Sequence, residues 1–178
     1  MTVIAIIGQK WDNSLERLIK EQLSKTYQIT YMKNNILSRY GKGYELLFFE
    51  SEKPEIDSCD DCLAVLKSEG ILPEGINTRG IAVINSDRIE QVKSAEKTGI
   101  KTVTCGISPT STISFTSETE ETVLISLNRS ITALSGREIE PLEIPIRKNG
   151  IDTYTLMSFV ALRLLLDDYG SEDIGKLY

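Results

Sequence analysis

Five short apolar runs recur along the first 106 residues, and their composition constrains the fold more than any other feature. Val3-Ile4-Ala5-Ile6-Ile7, Tyr44–Glu50, Cys62–Lys67, Gly80–Asn85 and Lys101–Gly106 are rich in branched and aromatic side chains, and the middle three are nearly continuous in apolarity. A strand with one wet face alternates apolar and polar residues. A run without alternation belongs to a strand covered on both faces, as in a parallel sheet sandwiched by helices. Helical patterns lie between the runs. Leu15, Leu18, Ile19 and Leu23 have helical spacing within 13–25, and Ile89, Val92 and Ala95 define one side of a second helix over 88–97. Tyr27–Met32 reads as a further strand, followed by a polar loop through Gly41 and Gly43.

From Ser111 the texture changes to I-S-F-T-S, T-V-L-I-S-L and E-I-E-P-L-E-I-P-I, the period-two pattern of exposed antiparallel strands, with turn-like joints at 116–121 and 135–137. A last helix is expected over 153–169, with Asp152 as N-cap and Gly170 as the residue just past its end. The stretch 69–79 contains Gly70, Pro73 and Gly75 and is too broken for a crossover helix. The expected fold is therefore α/β: a mostly parallel, helix-flanked sheet over 1–110, a small antiparallel β extension over 111–150 and a C-terminal helix and tail over 151–178, all in a single domain.

Composition removes several classes of function. Twenty basic against 26 acidic residues give a net charge of −6, so there is no basic field for a nucleic-acid backbone or an anionic membrane. The N-terminal apolar stretch is too short for a secretory signal, and the apolar run 156–166 is below spanning length and carries Arg163, so a cytoplasmic protein is expected. The chain has no histidine, which removes histidine-based triads and the usual zinc chemistry. Cys59 and Cys62 form C-D-D-C, but Asp60 and Asp61 oppose the electropositive setting that a reactive thiol needs, and the pair reads as incidental.

The loop after the first strand carries the most specific signal. Gly8-Gln9-Lys10-Trp11-Asp12-Asn13-Ser14 stands between a strand and a helix, where an α/β protein places a phosphate-binding loop. Such a loop needs glycines for close backbone approach and a lysine to neutralise the phosphates. Here an indole and a carboxylate stand instead, and Asp12 or Asn13 serves equally well as a helix cap.

The order of these motifs resembles the central, ATP-binding domain of the Mur ligase family, the peptidoglycan amide ligases related to folylpolyglutamate and cyanophycin synthetases. Gly8–Ser14 aligns with the family's G-T-N-G-K-T/S-T/S, which puts Trp11 at its second glycine and Asp12 at its lysine. Leu46–Ser51 resembles the strand ending in the family's magnesium-binding glutamate, at Glu50. Ile81–Asp87 resembles its a-V-L-N-x-D-D strand and turn, bringing in Asn85 and Asp87, and Thr102–Ser108 resembles its v-i-t-f-G strand. The H-N-x-x-N signature falls on Ile151-Asp152-Thr153-Tyr154-Thr155 in one register and uses Asn149 in another. Leu66-Lys67-Ser68-Glu69 stands where the family has T-N-x-x-x-D-H, without its histidine.

The resemblance thus implies a stand-alone, degenerate version of that domain, outside which the family's N-terminal substrate domain and C-terminal domain fall. Its vestigial pocket comprises Gly8, Gln9, Lys10, Trp11, Asp12, Asn13, Ser14, Glu50, Asn85, Asp87 and Asp152, with no catalytic residue, no metal and no cofactor. Trp11 is expected to obstruct the phosphate site and Asp12 to repel phosphate. Two readings of function follow. One is a noncatalytic interaction or small-ligand module linked to cell-wall biosynthesis, partnered by a second copy, another protein or a small molecule. The other is an enzyme with a rebuilt acidic crevice around Asp12, Glu50 and Asp87, or with residual nucleotide binding.

Overall fold

The computed structural model describes residues 1–55, 62–74, 76, 79–148 and 150–169. Twelve strands and three α-helices follow in the order β1 (Thr2–Ile7), α1 (Ser14–Gln22), β2 (Tyr27–Lys33), β3 (Ile36–Tyr40), β4 (Tyr44–Ser51), β5 (Cys62–Leu66), β6 (Ile81–Asn85), α2 (Ile89–Thr98), β7 (Lys101–Gly106), β8 (Ile113–Glu118), β9 (Thr122–Leu127), β10 (Ile131–Thr132), β11 (Glu138–Ile139), β12 (Leu142–Arg147) and α3 (Thr153–Leu165). A 3-10 turn, Leu23–Lys25, extends α1. Ten strands form one sheet in the order β12-β9-β8-β7-β6-β5-β1-β4-β2-β3, and β10 and β11 form a separate small ribbon.

The sheet is parallel from β2 across to β8 and antiparallel at both ends, through the β8–β9 and β9–β12 pairs on one side and the β2–β3 hairpin on the other. The alternating segment after residue 111 thus adds its long strands to the edge of the main sheet. β5 is buried at every position, as its unbroken apolar run predicts.

Two apolar cores lie on opposite faces. The larger packs α1 and α3 on Ile4, Ile6, Phe48, Val65 and Val103; the smaller packs Ala95 of α2 and the segment carrying Leu72 and Ile76 on Ala5, Ile7, Leu66 and Ile84. Helix α3 is buried at eleven of its thirteen positions, including Phe159 at 0% exposure. A helix apolar all round must lie inside, and α3 runs beneath the centre of the sheet and beside α1.

Three local expectations are corrected. The polar loop after β2 is a hairpin: Asn34 and Asn35 take φ of 51° and 63°, the left-handed pair that a two-residue turn requires and that asparagine tolerates, and β3 returns along β2. Helix α3 stops at Leu165, short of the expected 169. Asp167 takes φ of 60°, its N–H donates to Leu164 O and that of Asp168 donates to Arg163 O, so a Schellman motif closes the helix on an aspartate. Gly170 lies outside the described residues. In α2 the inward face is Gln91, Ser94 and Ala95, while Ile89 is exposed, because the helix supplies hydrogen bonds to strand ends as well as apolar contact. The described part of 69–79 contains no helix or strand, as expected.

Truncating Phe159 removes a fully buried ring from the helix that fills the larger core. Phe159→Ala is expected to cost about 3–5 kcal/mol in urea unfolding, with the slope on denaturant unchanged.

Candidate functional site

The C-terminal ends of β4, β1 and β5 lie side by side, and the register dictates what meets there. Ile7 of β1 pairs with Leu66 of β5, so Gly8 and Lys67 come next in line; Glu50 of β4 pairs with Ile6 on one side and with Lys33 of β2 on the other. Gly8 adopts φ of 148°, and a Cβ there would lie 2.7 Å from Cβ of Lys67. The glycine leaves an open lane across the middle strand, through which the lysine side chain passes.

Lys67 is 2% exposed at its side chain. Its Nζ donates to the carbonyl oxygens of Gln9 (3.1 Å) and Asp12 and to Oε1 of Glu50 (2.7 Å). An ammonium has three N–H donors, and these three acceptors use all of them. The β1–α1 loop therefore turns carbonyl oxygens toward an internal cation. A phosphate loop does the opposite, turning amide N–H groups toward an external anion.

Glu50 is fully buried at its side chain and is held from three directions. Besides Lys67, Nζ of Lys33 lies 2.8 Å from Oε1, and the hydroxyl of Tyr31 donates to Oε2. Lys33 also donates to Asn13 Oδ1 and, at 2.8 Å, to Glu16 Oε2; Lys20 pairs with Glu16 Oε1 at 2.5 Å. Charges alternate along Lys20, Glu16, Lys33, Glu50 and Lys67, from the surface of α1 to the buried strand ends.

These contacts set the ionisation of the row. Burial opposes the charge of Glu16, but hydrogen bonds and charge from Lys20 and Lys33 outweigh it and hold its pKa below the ordinary 4.5. Burial likewise opposes the charge of Lys33, and Glu16 and Glu50 overcome it, raising its pKa above 10.5. Burial, reinforced by the neighbouring charge of Glu50, pushes the Tyr31 phenol far up, so it stays a neutral donor.

The other sequence-predicted residues take separate places. Asp12 Oδ1 accepts from the N–H of Ser14 at 3.1 Å, and Asn13 stands at the N-cap position of α1 with its side chain on Lys33. Lys10 is exposed, and Trp11 is 73% exposed rather than filling the crevice. Asp152 caps α3 by accepting from the N–H of Thr155 at 2.9 Å. Asn85 and Asp87 organise a different corner: Asn85 Oδ1 accepts from the N–H of Asp87, and Asp87 Oδ2 accepts from that of Ile107, both at 2.9 Å. Asp12, Glu50 and Asp87 thus spend oxygens on different partners. Among the described residues no group of three or more cysteine, aspartate or glutamate side chains could hold a metal. Cys62 is buried on β5, and Cys59 lies outside the described residues.

Lys67, Lys33 and Tyr31 were not singled out as site residues in the sequence. One signal was present for Lys67: a lysine closing the buried run C-L-A-V-L has to find a buried partner or leave the sheet. Gln91, 2% exposed, completes the strand ends. Its Nε2 donates to the carbonyls of Lys67 (2.9 Å) and Ser68 (3.2 Å) and its Oε1 accepts from the N–H of Asn85 (2.8 Å).

Among the described residues, one opening of about 420 Å³ lies against Asn13, Glu16, Lys20 and Lys33, and two more lie nearer Gly8 and Lys67. One of these two, of about 480 Å³, lies over Gly8, Gly70 and Leu72. The other, of about 260 Å³, is lined by Gln9, Trp11, Asp12, Lys67, Ser68, Glu69 and Asp152.

No protein-family model matches the sequence, and no curated protein matches it significantly. Solved structures do share the fold. A MurF structure from Acinetobacter baumannii superimposes with a TM-score of 0.58 at 12% identity, over 99% of this chain and 44% of that one. A murein peptide ligase Mpl from Psychrobacter arcticus gives 0.53 at 9% identity, over 92% and 43%, and a UDP-N-acetylmuramoyl-L-alanyl-D-glutamate–2,6-diaminopimelate ligase gives 0.52 at 11%, over 94% and 43%. The chain has a Mur-ligase-like fold and spans less than half the length of these proteins.

Two measurements check the buried row. Lys67→Met leaves loop carbonyls and a buried carboxylate short of a partner and is expected to cost about 3–5 kcal/mol; the Lys67→Met, Glu50→Gln double variant should lose less than the sum of the two single variants in a urea double-mutant cycle. The shifts also fix a pH window. The contribution of Glu16 is present above pH 4.5 and is lost as pH falls through its lowered folded pKa; that of Lys33 is present below pH 10.5 and is lost as pH rises through its raised one. Thermal unfolding across pH should show a plateau between these limits, and Glu16→Gln should flatten the acid side.

Proposed function

We propose that the chain is a noncatalytic Mur-ligase-like domain, a cytoplasmic binding module associated with cell-wall biosynthesis that has exchanged its nucleotide site for an internal ion pair. The observation that carries this reading is the saturation of Lys67 by Gln9 O, Asp12 O and Glu50. In phosphoryl transfer the protein supplies positioning and charge neutralisation. A lysine whose three donors are already engaged supplies neither to a triphosphate. Glu50, the counterpart in the resemblance of a magnesium ligand, is paired with two lysines, accepts a hydrogen bond from a phenol and offers little to a cation. Asp12 adds a negative charge where the resemblance has a lysine.

The rebuilt-enzyme reading draws no comparable support. Its three carboxylates make separate hydrogen bonds, as a helix-turn acceptor, a buried ion-pair partner and an acceptor for the turn after β7. General acid–base chemistry needs a group held within hydrogen-bond reach of the proton that it moves.

Calorimetry with magnesium and ATP is expected to show no saturable binding, and assays for ADP or phosphate release with UDP-linked muramyl precursors and amino acids should stay at background. Binding with Kd of about 1 μM, some −8 kcal/mol, would overturn the proposal. The variant Trp11→Gly with Asp12→Lys should also fail to bind tightly while Lys67 holds the loop carbonyls.

A further inference from the structure

The ten-stranded sheet has two edges, and they are built differently. At one, β12 carries exposed Glu143, Pro145 and Arg147 in alternation. A proline without an N–H, set between two charges, resists the addition of a further strand. At the other, β3 reads I-L-S-R-Y, with no proline and one charge. Ile36 and Leu37 are 66% and 67% exposed, and as consecutive residues of a strand they stand on opposite faces of the sheet. The charge is matched within the chain, since Arg39 pairs with Glu45 at 3.4 Å. Among the described residues no strand pairs with the outer side of β3.

The hairpin fixes which backbone groups face outward. Its two-residue turn, with both asparagines left-handed, makes Lys33 and Ile36 the hydrogen-bonded pair that closes it. The alternation of an antiparallel ladder then turns the N–H and C=O of Ile36, Ser38 and Tyr40 toward β2 and those of Leu37 and Arg39 away from it. These two outward residues lie symmetrically about Ser38. A second β3 laid antiparallel on the first, with Ser38 on the two-fold axis, therefore sets Leu37 of each copy against Arg39 of the other, each pair exchanging both of its N–H···O bonds. The same register brings Ile36 of each copy across from Tyr40 of the other, a β-branched side chain against an aromatic one. It also puts a leucine, not a second arginine, directly opposite Arg39. From this self-complementarity we infer that β3 is an interaction edge for a second copy of this chain, the two sheets joining about a two-fold axis at Ser38. The edge has five residues and is about 17 Å long, short for the standard interface of about 800 Å² per partner, so the dimer is a weak one.

Sedimentation equilibrium of the whole chain is expected to show a monomer–dimer equilibrium with Kd of about 100 μM. Leu37→Pro removes an outward N–H and spares the bonds to β2, so it should weaken dimerisation at least about tenfold. Ile36→Lys keeps every backbone donor, serves where the proline variant does not fold, and should do the same with the melting temperature of the dilute protein close to that of the parent. The register has its own readout. Ser38 faces its counterpart as a non-hydrogen-bonded pair with Cα atoms about 4.5 Å apart, within the disulfide range of about 4.4–6.8 Å, while Leu37 meets its counterpart only diagonally, at about 7–8 Å. Cys62 and Cys105 are buried, and in a Cys59→Ser background Ser38→Cys should oxidise to a covalent dimer and Leu37→Cys should not. A monomer at every concentration up to about 1 mM, a dimer unchanged by both edge variants, or a Ser38→Cys variant that cross-links no better than Leu37→Cys would overturn the inference. These readouts are independent of the proposed loss of nucleotide binding: a saturable response to magnesium and ATP would remove that reading and leave this one standing.

Discussion

The ammonium of Lys67 is the point on which the strand ends, the β1–α1 loop and the start of α1 all depend. Its three hydrogen bonds join the loop to β4 through Glu50, and Glu50 joins β4 to β2 through Lys33. Removing a buried ion-pair member leaves its partner charged and desolvated, which costs far more than an exposed pair contributes. The glycine in the loop acquires its reason from the same contact. Gly8 yields space to a lysine stem, where a phosphate loop would yield it to a ligand.

The buried row also ties down the β1–α1 loop through its carbonyl oxygens. In a phosphate loop, converging N–H groups create a positive hollow that the ligand neutralises. Here the interior supplies the charge, with the hollow lined by carbonyl oxygens and its filling covalently attached. The three donors of Lys67 are all engaged within the chain.

The surface near this core has a different electrostatic character from the interior. Inside, positive and negative groups alternate and are matched. Outside, the carboxylates of Asp12 and Asp152 accept from backbone N–H groups at the N-terminal ends of α1 and α3 and offset the partial positive charge of those ends. The fold shared with MurF and its structural neighbours does not fix the chemistry at these strand ends, since fold and site chemistry vary independently.

Local periodicity sufficed for the parallel sheet, the helices between its strands, the cap at Asp152 and the alternating C-terminal strands, because each depends on spacings of two to four residues. The lack of helix and strand in the described part of 69–79 was legible from the segment's glycines and proline. The β2–β3 hairpin was missed because Asn34-Asn35 is a weaker turn signal than Asn-Gly, and the end of α3 because an aspartate took the left-handed position usually held by glycine. Tertiary structure alone decided the site. Lys33, Glu50 and Lys67 are 17 residues apart in each step, and only the register of β2, β4, β1 and β5 sets them in one row. A sequence shows which charges exist; the order of strands in the sheet determines which of them must neutralise one another away from water.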